Sequence, residues 1–547
     1  MTTTVAPALP AAPTARRRVG GRVVDLVRKR PELVTMLLCA VVLAIGIRGP
    51  DLPAQNYRVW LLRTHGLIIF DSHWYAGHTL PGYSLLFPPM AAITGPRLLG
   101  ALACIASTAA FTRLLRGKRD TGDDVAILWF AVITVVDLVV GRLPFALGVA
   151  FGIGALAAVK EGKRWWAFAL AVLCSAASPL AGAFLLLAAV AWMPAIGWRR
   201  SLPLVGSILG IGAAALFGEG GFFPFPASEL VWILGFCAIS LVLAPRGAKI
   251  ERRALALYAV VSALLYVVPN PIGGNVIRLG AIFAGPLAAY VCMRHRMPVI
   301  LILVAGPLLA WQLWQVPDAV ANGGEGQSAH AAYYAGLVDF LHAHPSPVGR
   351  VEVPLTRGRW ETDYLAAKVP LARGWERQVD LGYNAVLYNP KLTASAYHQW
   401  LRDNGVRWVA LPDVPLDGSE AGEQTLLTGP ELSFLKPVWN DEHWQLWEVR
   451  DPTPLTRGPV TLSALDVNKV DLQATAAGTS TVLVRWTRFW RVTDGVACVA
   501  PTPDGWTQVE TFGPGPVTIA AQVGLGSLAG GGGGGSCSDG VPDDTHP

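Results

Sequence analysis

The chain has 547 residues, of which 52% are hydrophobic and 15% charged, with a net charge of +6 and a mean hydropathy of +0.41. A soluble domain carries about 25% charged residues, so this balance excludes a soluble enzyme, a disordered chain and a collagen-like fibre, and apolar runs spread over three fifths of the length exclude a single-anchor protein. The positive balance does not point to nucleic acid, because Arg16, Arg17, Arg18, Arg22, Arg28, Lys29 and Arg30 directly precede the first apolar run, where basic residues set topology.

In chain order, apolar runs cover 33–47, 85–115, 125–140, 143–159, 165–177, 179–193, 203–217, 229–244, 254–268, 279–293 and 298–314. Behind a basic N-terminal segment, 1–32, they predict an α-helical polytopic membrane domain over 33–314 with about eleven spans. Several runs fall short of the roughly 20 residues of a perpendicular span. The groups Arg116/Lys118/Arg119, Lys160/Lys163/Arg164, Arg199/Arg200, Arg246/Lys249/Arg252/Arg253 and Arg294/Arg296 share one side if each gap holds two crossings, and the positive-inside rule makes that side cytoplasmic. Between Trp165 and Trp192 the chain is too long for one span and short for two. The charge rule favours a turn at Ser178-Pro179 in a short re-entering pair covered by other helices; one long Pro-kinked helix is the alternative.

An odd number of spans places everything after Trp314 outside. Residues 315–455 read as a small α/β domain, with helices at Ala331–His342 and Ala394–Asn404 and strands at Arg350–Val353, Arg407–Leu411 and Trp444–Val449. From 456 to 528 the pattern is alternation with Gly/Pro punctuation, as in Val482–Trp486 and Val517–Val523, and predicts a β-sandwich-like module. Residues 529–547, with the run Gly530–Gly535, read as a flexible tail. Five of the seven cysteines lie in apolar runs and no CxxC or Cys/His cluster exists, so no zinc or redox motif is present. Cys498 and Cys537 are the two in the exported part, where a disulfide between them is expected.

Polar chemistry concentrates after the first span. Asp51, Asp71, His73 and His78 lie among aromatics, a set able to bind a sugar or phosphate and move a proton; the plainer reading makes Trp74, Tyr75 and Tyr83 headgroup anchors and Asp71 a helix cap. Asp137 and Arg142 flank the turn between the third and fourth spans, and charge near membrane depth is a functional signal by default, with a mutual ion pair as the structural alternative. In the turn Pro269–Arg278, the Gly pair permits close backbone approach, Asn270 and Asn275 offer donors and acceptors, and Arg278 can hold a phosphate bidentately. The Glu219–Glu229 stretch reads as an ordinary connection. In the tail, Asp363, Trp375, Glu376 and Arg377 suit a carbohydrate groove. No phosphate-binding loop of the Walker or dinucleotide type appears.

An acidic residue just beyond the first helix, the turn Trp74-Tyr-Ala-Gly77 and the approach Tyr83-Ser-Leu-Leu-Phe-Pro-Pro89 to the second span together resemble the GT-C superfamily of membrane glycosyltransferases. More narrowly, with Arg373-Gly-Trp-Glu-Arg377 and Trp486-Thr-Arg-Phe-Trp490, the chain is similar to bacterial multi-pass proteins labelled as related to 6-pyruvoyl-tetrahydropterin synthase and to the YfhO-like proteins. The resemblance implies inverting transfer of a sugar from a polyprenyl-phosphate donor to an envelope glycan acceptor outside the membrane. Asp51 matches the catalytic base by position, and Asp71 is its competitor. A carboxylate is needed because the acceptor hydroxyl loses its proton as it attacks. On this reading His73, His78, Arg142, Asn270, Asn275 and Arg278 hold the donor phosphate, and Tyr75, Trp375, Glu376 and Arg377 the acceptor. The partners are membrane lipid, the lipid-linked sugar and the glycan, with no nucleic acid. No cofactor is assigned; a divalent cation is compatible. A flippase for lipid-linked saccharides or a non-catalytic assembly protein is the rival class.

Overall fold

Each of the eleven apolar runs carries helix in the computed structural model, which describes residues 25–115, 121–322, 326–345, 349–524 and 537. The basic residues from Arg16 to Arg22, the group Arg116/Lys118/Arg119 and the Gly530–Gly535 run lie outside the described residues. Five helices are long and apolar enough to cross a membrane, namely Pro96–Leu115, Leu143–Lys160, Pro179–Ile196, Gly273–Arg294 and Pro298–Ala321. Shorter apolar helices at Glu32–Ile45, Arg164–Ala177 and Ala227–Leu243 pack among them. The chain is thus a helical membrane-embedded protein with a C-terminal region rich in β-sheet.

The Trp165–Trp192 stretch is two helices, Arg164–Ala177 and Pro179–Ile196, separated at Ser178. A Cβ on Gly182 would fall 2.5 Å from Cβ of Ser175, whereas a continuous helix separates residues seven apart by roughly 10 Å. The chain therefore reverses rather than kinks. Ser178 is extended, and its side chain accepts from the Ala181 N–H at 3.3 Å, capping the second helix. The carbonyls left over at the end of the first helix are also satisfied: Leu85 and Leu86 N–H donate to Ala176 at 2.9 and 3.1 Å, and the Ser84 hydroxyl donates to Ala177 at 2.7 Å. The turn is covered, as low-dielectric surroundings require.

Residues 49–83 are not a plain loop. Pro53 opens a helix, Leu52–His65, that Gly66 ends. Its apolar periodicity is weak because Gln55 and Arg58 are buried along with Leu52, Tyr57, Val59 and Leu61. After it, Phe70–Asp71 pairs antiparallel with His78–Thr79, and this hairpin joins three bodies. Ser72 N–H donates to Val467 at 2.7 Å and Arg485 N–H to Ala76 at 2.8 Å, both on the β side, while Leu371 N–H donates to His73 at 2.8 Å on the α/β side.

The α/β domain has a four-stranded sheet in the order Arg350–Glu352, Val406–Pro412, Trp444–Val449, Leu435–Asn440. The first pair is parallel and the other two antiparallel. The Ala394–Asp403 helix leads into the Val406–Pro412 strand, and Tyr397, Leu401, Val406 and Val409 share a core. Two further four-stranded antiparallel sheets follow from Thr456, one running Ala497–Pro501, Trp506–Thr511, Gly478–Arg485, Thr456–Arg457 and the other Trp490–Asp494, Gly515–Ala521, Lys469–Ala474, Val460–Asp466. Alternating Val470, Leu472, Val482, Val484, Val509, Val517 and Ile519 fill the space between them, as a sandwich demands. Cys498, on an outer strand, is bonded to Cys537.

The recurring motifs are packing devices. Tyr75 and Ala76 both take left-handed backbone at φ 58° and 63°, a conformation costly for residues with a Cβ that the surrounding contacts enforce. Gly77 follows at φ 135°, where a Cβ would meet the Phe70 ring at 2.3 Å. Gly374 lies against Trp74 and Tyr75, which a Cβ there would approach to 2.8 Å, so the Trp-Tyr-x-Gly turn and the Arg-Gly-Trp-Glu-Arg segment clasp each other. In the third motif, Phe489 stacks on Phe217 at 5.5 Å and Trp490 meets Phe70 edge-on at 4.9 Å, docking the sandwich on the end of the Ser207–Leu216 helix.

Candidate functional site

A cavity of about 860 Å³ lies where the helix ends meet the α/β domain. Its membrane-side wall is built from two turns. Asp51 stands just before the Leu52–His65 helix, and its N–H donates to the Val140 carbonyl at 3.1 Å, which fixes it beside the turn that carries Arg142. Arg142 Nε lies 3.5 Å from Asp51 Oδ2, and Arg278 Nη2 lies 4.0 Å from the same oxygen. Neither arginine's Nε has a hydrogen-bond partner, although both atoms are buried. Two guanidiniums thus converge on one carboxylate. Asn275 and Gly274, from the turn before Arg278, complete this wall.

The opposite wall comes from the α/β domain. Trp375 Nε1 donates to the Pro50 carbonyl at 3.0 Å, tying that wall to the residue before Asp51. Tyr83 meets Trp375 edge-on at 6.1 Å, and the Arg58 guanidinium covers the Tyr83 ring at 4.2 Å. Arg58 in turn donates to Glu376. Beyond them Arg359 and Arg377 both bond Asp417, at 2.9 and 2.8 Å. Burial alone would raise the Asp417 carboxyl, but these two guanidiniums hold it well below the usual carboxylate range. A pocket with an arginine pair at one end and aromatic rings between its charged walls has the chemistry to hold a phosphate together with a polyol.

Of the residues the sequence singled out, Asp51, Arg142, Asn275, Arg278, Trp375, Glu376 and Arg377 line this cavity. The others do not line it. Asp71 is completely buried, accepting from His73 N–H at 2.9 Å and from the Tyr57 hydroxyl at 3.2 Å; burial pushes its carboxyl up to about 7. His73 contacts the Ala366 carbonyl through Nδ1 at 2.6 Å. His78 stacks on Trp74 at 5.2 Å, and burial pushes it down to about 3. Both rings belong to the hairpin that joins the domains, so neither faces a donor.

Tyr75 is buried as well, donating to the Glu376 carbonyl at 3.0 Å, and with Trp74 it is interior rather than an acceptor contact or a headgroup anchor. Asn270 closes its own turn: Oδ1 accepts from Ile272 and Gly273 N–H at 2.9 and 2.8 Å, and Nδ2 donates to Leu265 and Val268 carbonyls at 2.8 and 2.6 Å. Its side chain is spent on these bonds, which shape the loop that presents Asn275 and Arg278. Asp363 is buried away from the cavity. Arg142 takes Asp51 as its charged partner, not Asp137, to whose carbonyl it gives only a backbone bond at 2.8 Å.

Sequence reasoning passed over Arg359 and Asp417, and gave Tyr83 as a headgroup anchor and Glu219 as part of an ordinary connection, yet all four line the cavity. Glu219 accepts the Thr79 N–H, and burial pushes it up to about 8. No family model matches the chain, and no curated protein matches it.

Proposed function

We propose that this protein is a cell-envelope glycosyltransferase that moves a sugar from a polyprenyl-phosphate donor to a saccharide acceptor at the extracytoplasmic face of the membrane. In this reading the chain crosses the membrane about eleven times, with its N-terminus in the cytoplasm and both C-terminal domains outside, as the one-sided Lys/Arg groups indicate. The observation that carries the reading is the convergence of Arg142 and Arg278, at 3.5 and 4.0 Å, on Asp51 in the wall of a cavity large enough for a sugar phosphate. The family resemblance supplies the reaction class, and the geometry supplies a way to run it.

The donor phosphate takes guanidinium N–H groups of Arg142 and Arg278 as charge-assisted hydrogen bonds. It thereby competes with Asp51 for the same two cations, and the carboxylate is released as binding proceeds. The acceptor hydroxyl then attacks the anomeric carbon and gives its proton to Asp51. The new bond is carbon to acceptor oxygen; the bond from carbon to phosphate oxygen breaks, and the electron pair leaves with the lipid phosphate, still held by the arginines. Proton removal by a positioned group contributes roughly 10²- to 10⁴-fold. Trp375, Glu376 and Arg377 face the acceptor.

The test is transfer by the purified chain in lipid nanodiscs with a polyprenyl-phosphate sugar donor. Asp51→Asn should abolish transfer and keep donor binding, and Arg278→Ala should lose donor binding. Retention of transfer by Asp51→Asn excludes this base, and activity in neither the wild type nor any variant, alongside movement of the lipid-linked sugar between leaflets, replaces the transferase by a flippase.

A further inference from the structure

A second cavity, of about 490 Å³, lies among the last apolar helices, away from the first. The helices Ala227–Leu243 and Pro298–Leu313 form its sides and Ile277–Arg294 its floor, through Phe236, Ile239, Leu287, Val291, Leu303 and Trp311. Apart from Ser240 and Glu251 the lining is apolar. Ile239 and Leu303, one on each side, are 59% and 70% exposed, so the groove opens sideways, where lipid hydrocarbon lies. Toward one end the Phe236 and Trp311 rings stand 5.4 Å apart, and Trp311 presses on Gly280, where a Cβ would meet it at 2.3 Å. The other end reaches Ala244 and Met297.

That second end is basic. The chain links that follow Ala244 and precede Met297 come together, with His295 3.9 Å from where a Cβ on Gly247 would stand. Arg246, Lys249, Arg294 and Arg296 lie there, exposed and each within two residues of the lining. Arg294 bonds the Tyr290 hydroxyl at 3.2 Å, and neighbouring Arg252 is spent on the Ala244 carbonyl at 2.9 Å. Arg246, Lys249 and Arg296 form no ion pair among the described residues. The carboxylates nearby are Glu251 in the lining and the buried Asp123, which these cations, with Arg253, outnumber.

We propose that this groove binds an anionic glycerophospholipid of the cytoplasmic leaflet, with one acyl chain between the helices and the phosphate at Arg246, Lys249 and Arg296. The choice of leaflet rests on the topology proposed above; the transferase chemistry does not enter. Size selects the chain. From Val231 to Ala244 the groove is about 20 Å long at the helical rise, close to one leaflet's share of a hydrocarbon core roughly 30 Å thick. Spread over that length, its volume gives a cross-section of about 25 Å², far below the roughly 80 Å² of a helix 10 Å across. It is near that of one extended hydrocarbon chain, whose carbons take neighbours at about 4 Å. Charge selects the headgroup, because basic residues at a membrane surface favour anionic lipid by about fivefold each. The polyprenyl tail of a donor held at Arg278 is a different occupant, since the Trp311 ring on Gly280 stands between Arg278 and the groove.

The experiment uses the full chain in phosphatidylcholine nanodiscs doped with phosphatidylglycerol, phosphatidylethanolamine or phosphatidylcholine that carries a photoreactive diazirine on one acyl chain. Crosslinked peptides should map to Ala227–Leu243 and Pro298–Leu313, with phosphatidylglycerol labelling them most. Arg296→Ala should lower that yield about fivefold, and Arg296→Lys should stay within about twofold of wild type. A Cβ on Gly235 has nothing within 4 Å, so Gly235→Leu places its side chain in the groove without displacing protein and improves helix propensity. It should abolish labelling of both helices by every lipid without lowering the thermal midpoint. Glycerol phosphate should not compete, and Arg278→Ala should label as wild type.

Equal labelling by the three lipids, preference for phosphatidylethanolamine, or labelling unchanged in Gly235→Leu overturns the site. Competition by glycerol phosphate makes it a soluble-phosphate site, and loss of labelling in Arg278→Ala makes the groove the donor's tail site; either result overturns the proposal. If the lipid preference holds while thiol labelling of Arg246→Cys places that link outside, it is the topology that fails.

Discussion

Arg58 and Glu376 are 318 residues apart and form one ion pair with side-chain exposures of 3% and 9%. Through it the helix that begins at Asp51 is locked to the α/β wall of the cavity. Removing one partner of such a pair leaves a buried charge uncompensated, at a cost of about 3–5 kcal/mol. Arg58→Met and Glu376→Gln should each lower the thermal midpoint of the protein in nanodiscs, and Arg58→Met with Glu376→Leu should be less destabilised than either single change. A double variant as unstable as the sum of its parts refutes this coupling.

Asp71 and Asp51 are separable by mutation. The Asp71 carboxyl is raised in the folded protein to about 7 from 3.8. A group raised on folding gives stability that is complete below its unfolded value and lost as pH rises through its folded value. Asp71→Asn, which still accepts from Tyr57 and His73, should therefore raise the melting temperature relative to wild type by a margin that grows from pH 4 to pH 8. It should keep transfer activity, unlike Asp51→Asn. Loss of transfer in a folded Asp71→Asn protein would return Asp71 to the chemistry.

A second buried cluster sets the slope of stability in the α/β domain. Among the described residues Arg373 is the one cation in ion-pair range of Glu352, Asp380, Glu420 and Glu423, at 3.7, 2.7, 2.5 and 3.6 Å. Tyr388 and Tyr397 face it too, donating to Asp380 and Glu423, each at 2.6 Å. One cation does not balance four carboxylates, and burial with like-charge neighbours pushes Glu352 well up and Glu423 up to about 8. Both shifts are upward, so protection of residues 373–380 in hydrogen exchange, corrected for intrinsic rate, should decline as pH rises from 6 to about 9. Glu423→Gln should flatten that slope. An unchanged slope in this variant rules the cluster out as its source.

The Cys498–Cys537 bond closes 39 residues of separation. In the chain-entropy model a loop of this size contributes about 4 kcal/mol. Mass analysis without reductant should find no free thiol at either position, and Cys498→Ser should shift sandwich unfolding to lower denaturant concentration. Two alkylated thiols in protein from an oxidising compartment contradict the bond.

For the proposed topology, a reporter fused at Ser480 should be active on the extracytoplasmic side, and cysteine labelling should place Arg199 and Arg253 on the opposite one. A cytoplasmic Ser480 removes the odd number of crossings.

What hydropathy and alternation encode is legible in the order of residues alone. Apolar runs located the five helices long and apolar enough to cross a membrane, because burial in lipid or among helices demands near-uniform apolar composition over a span. Period-two alternation located the sandwich strands around Val482 and Val517, and the Lys/Arg groups on either side placed the helix reversal at Ser178-Pro179. The residue order also singled out Asp51, Arg142 and Arg278, since charge close to apolar helix ends is scarce enough to stand out. Tertiary structure decided what such local signals do not carry. The Leu52–His65 helix was hidden because Gln55 and Arg58, polar by type, are buried by a domain more than 300 residues later in the chain. Asp71, His73, His78 and Tyr75 carry the same functional groups as active-site residues, and only the docking of three bodies on one hairpin made them interior. Glu219, an unremarkable turn carboxylate, became a cavity group only when Thr79 and the α/β wall closed around it, because burial is a property of the packed whole and not of any window of sequence.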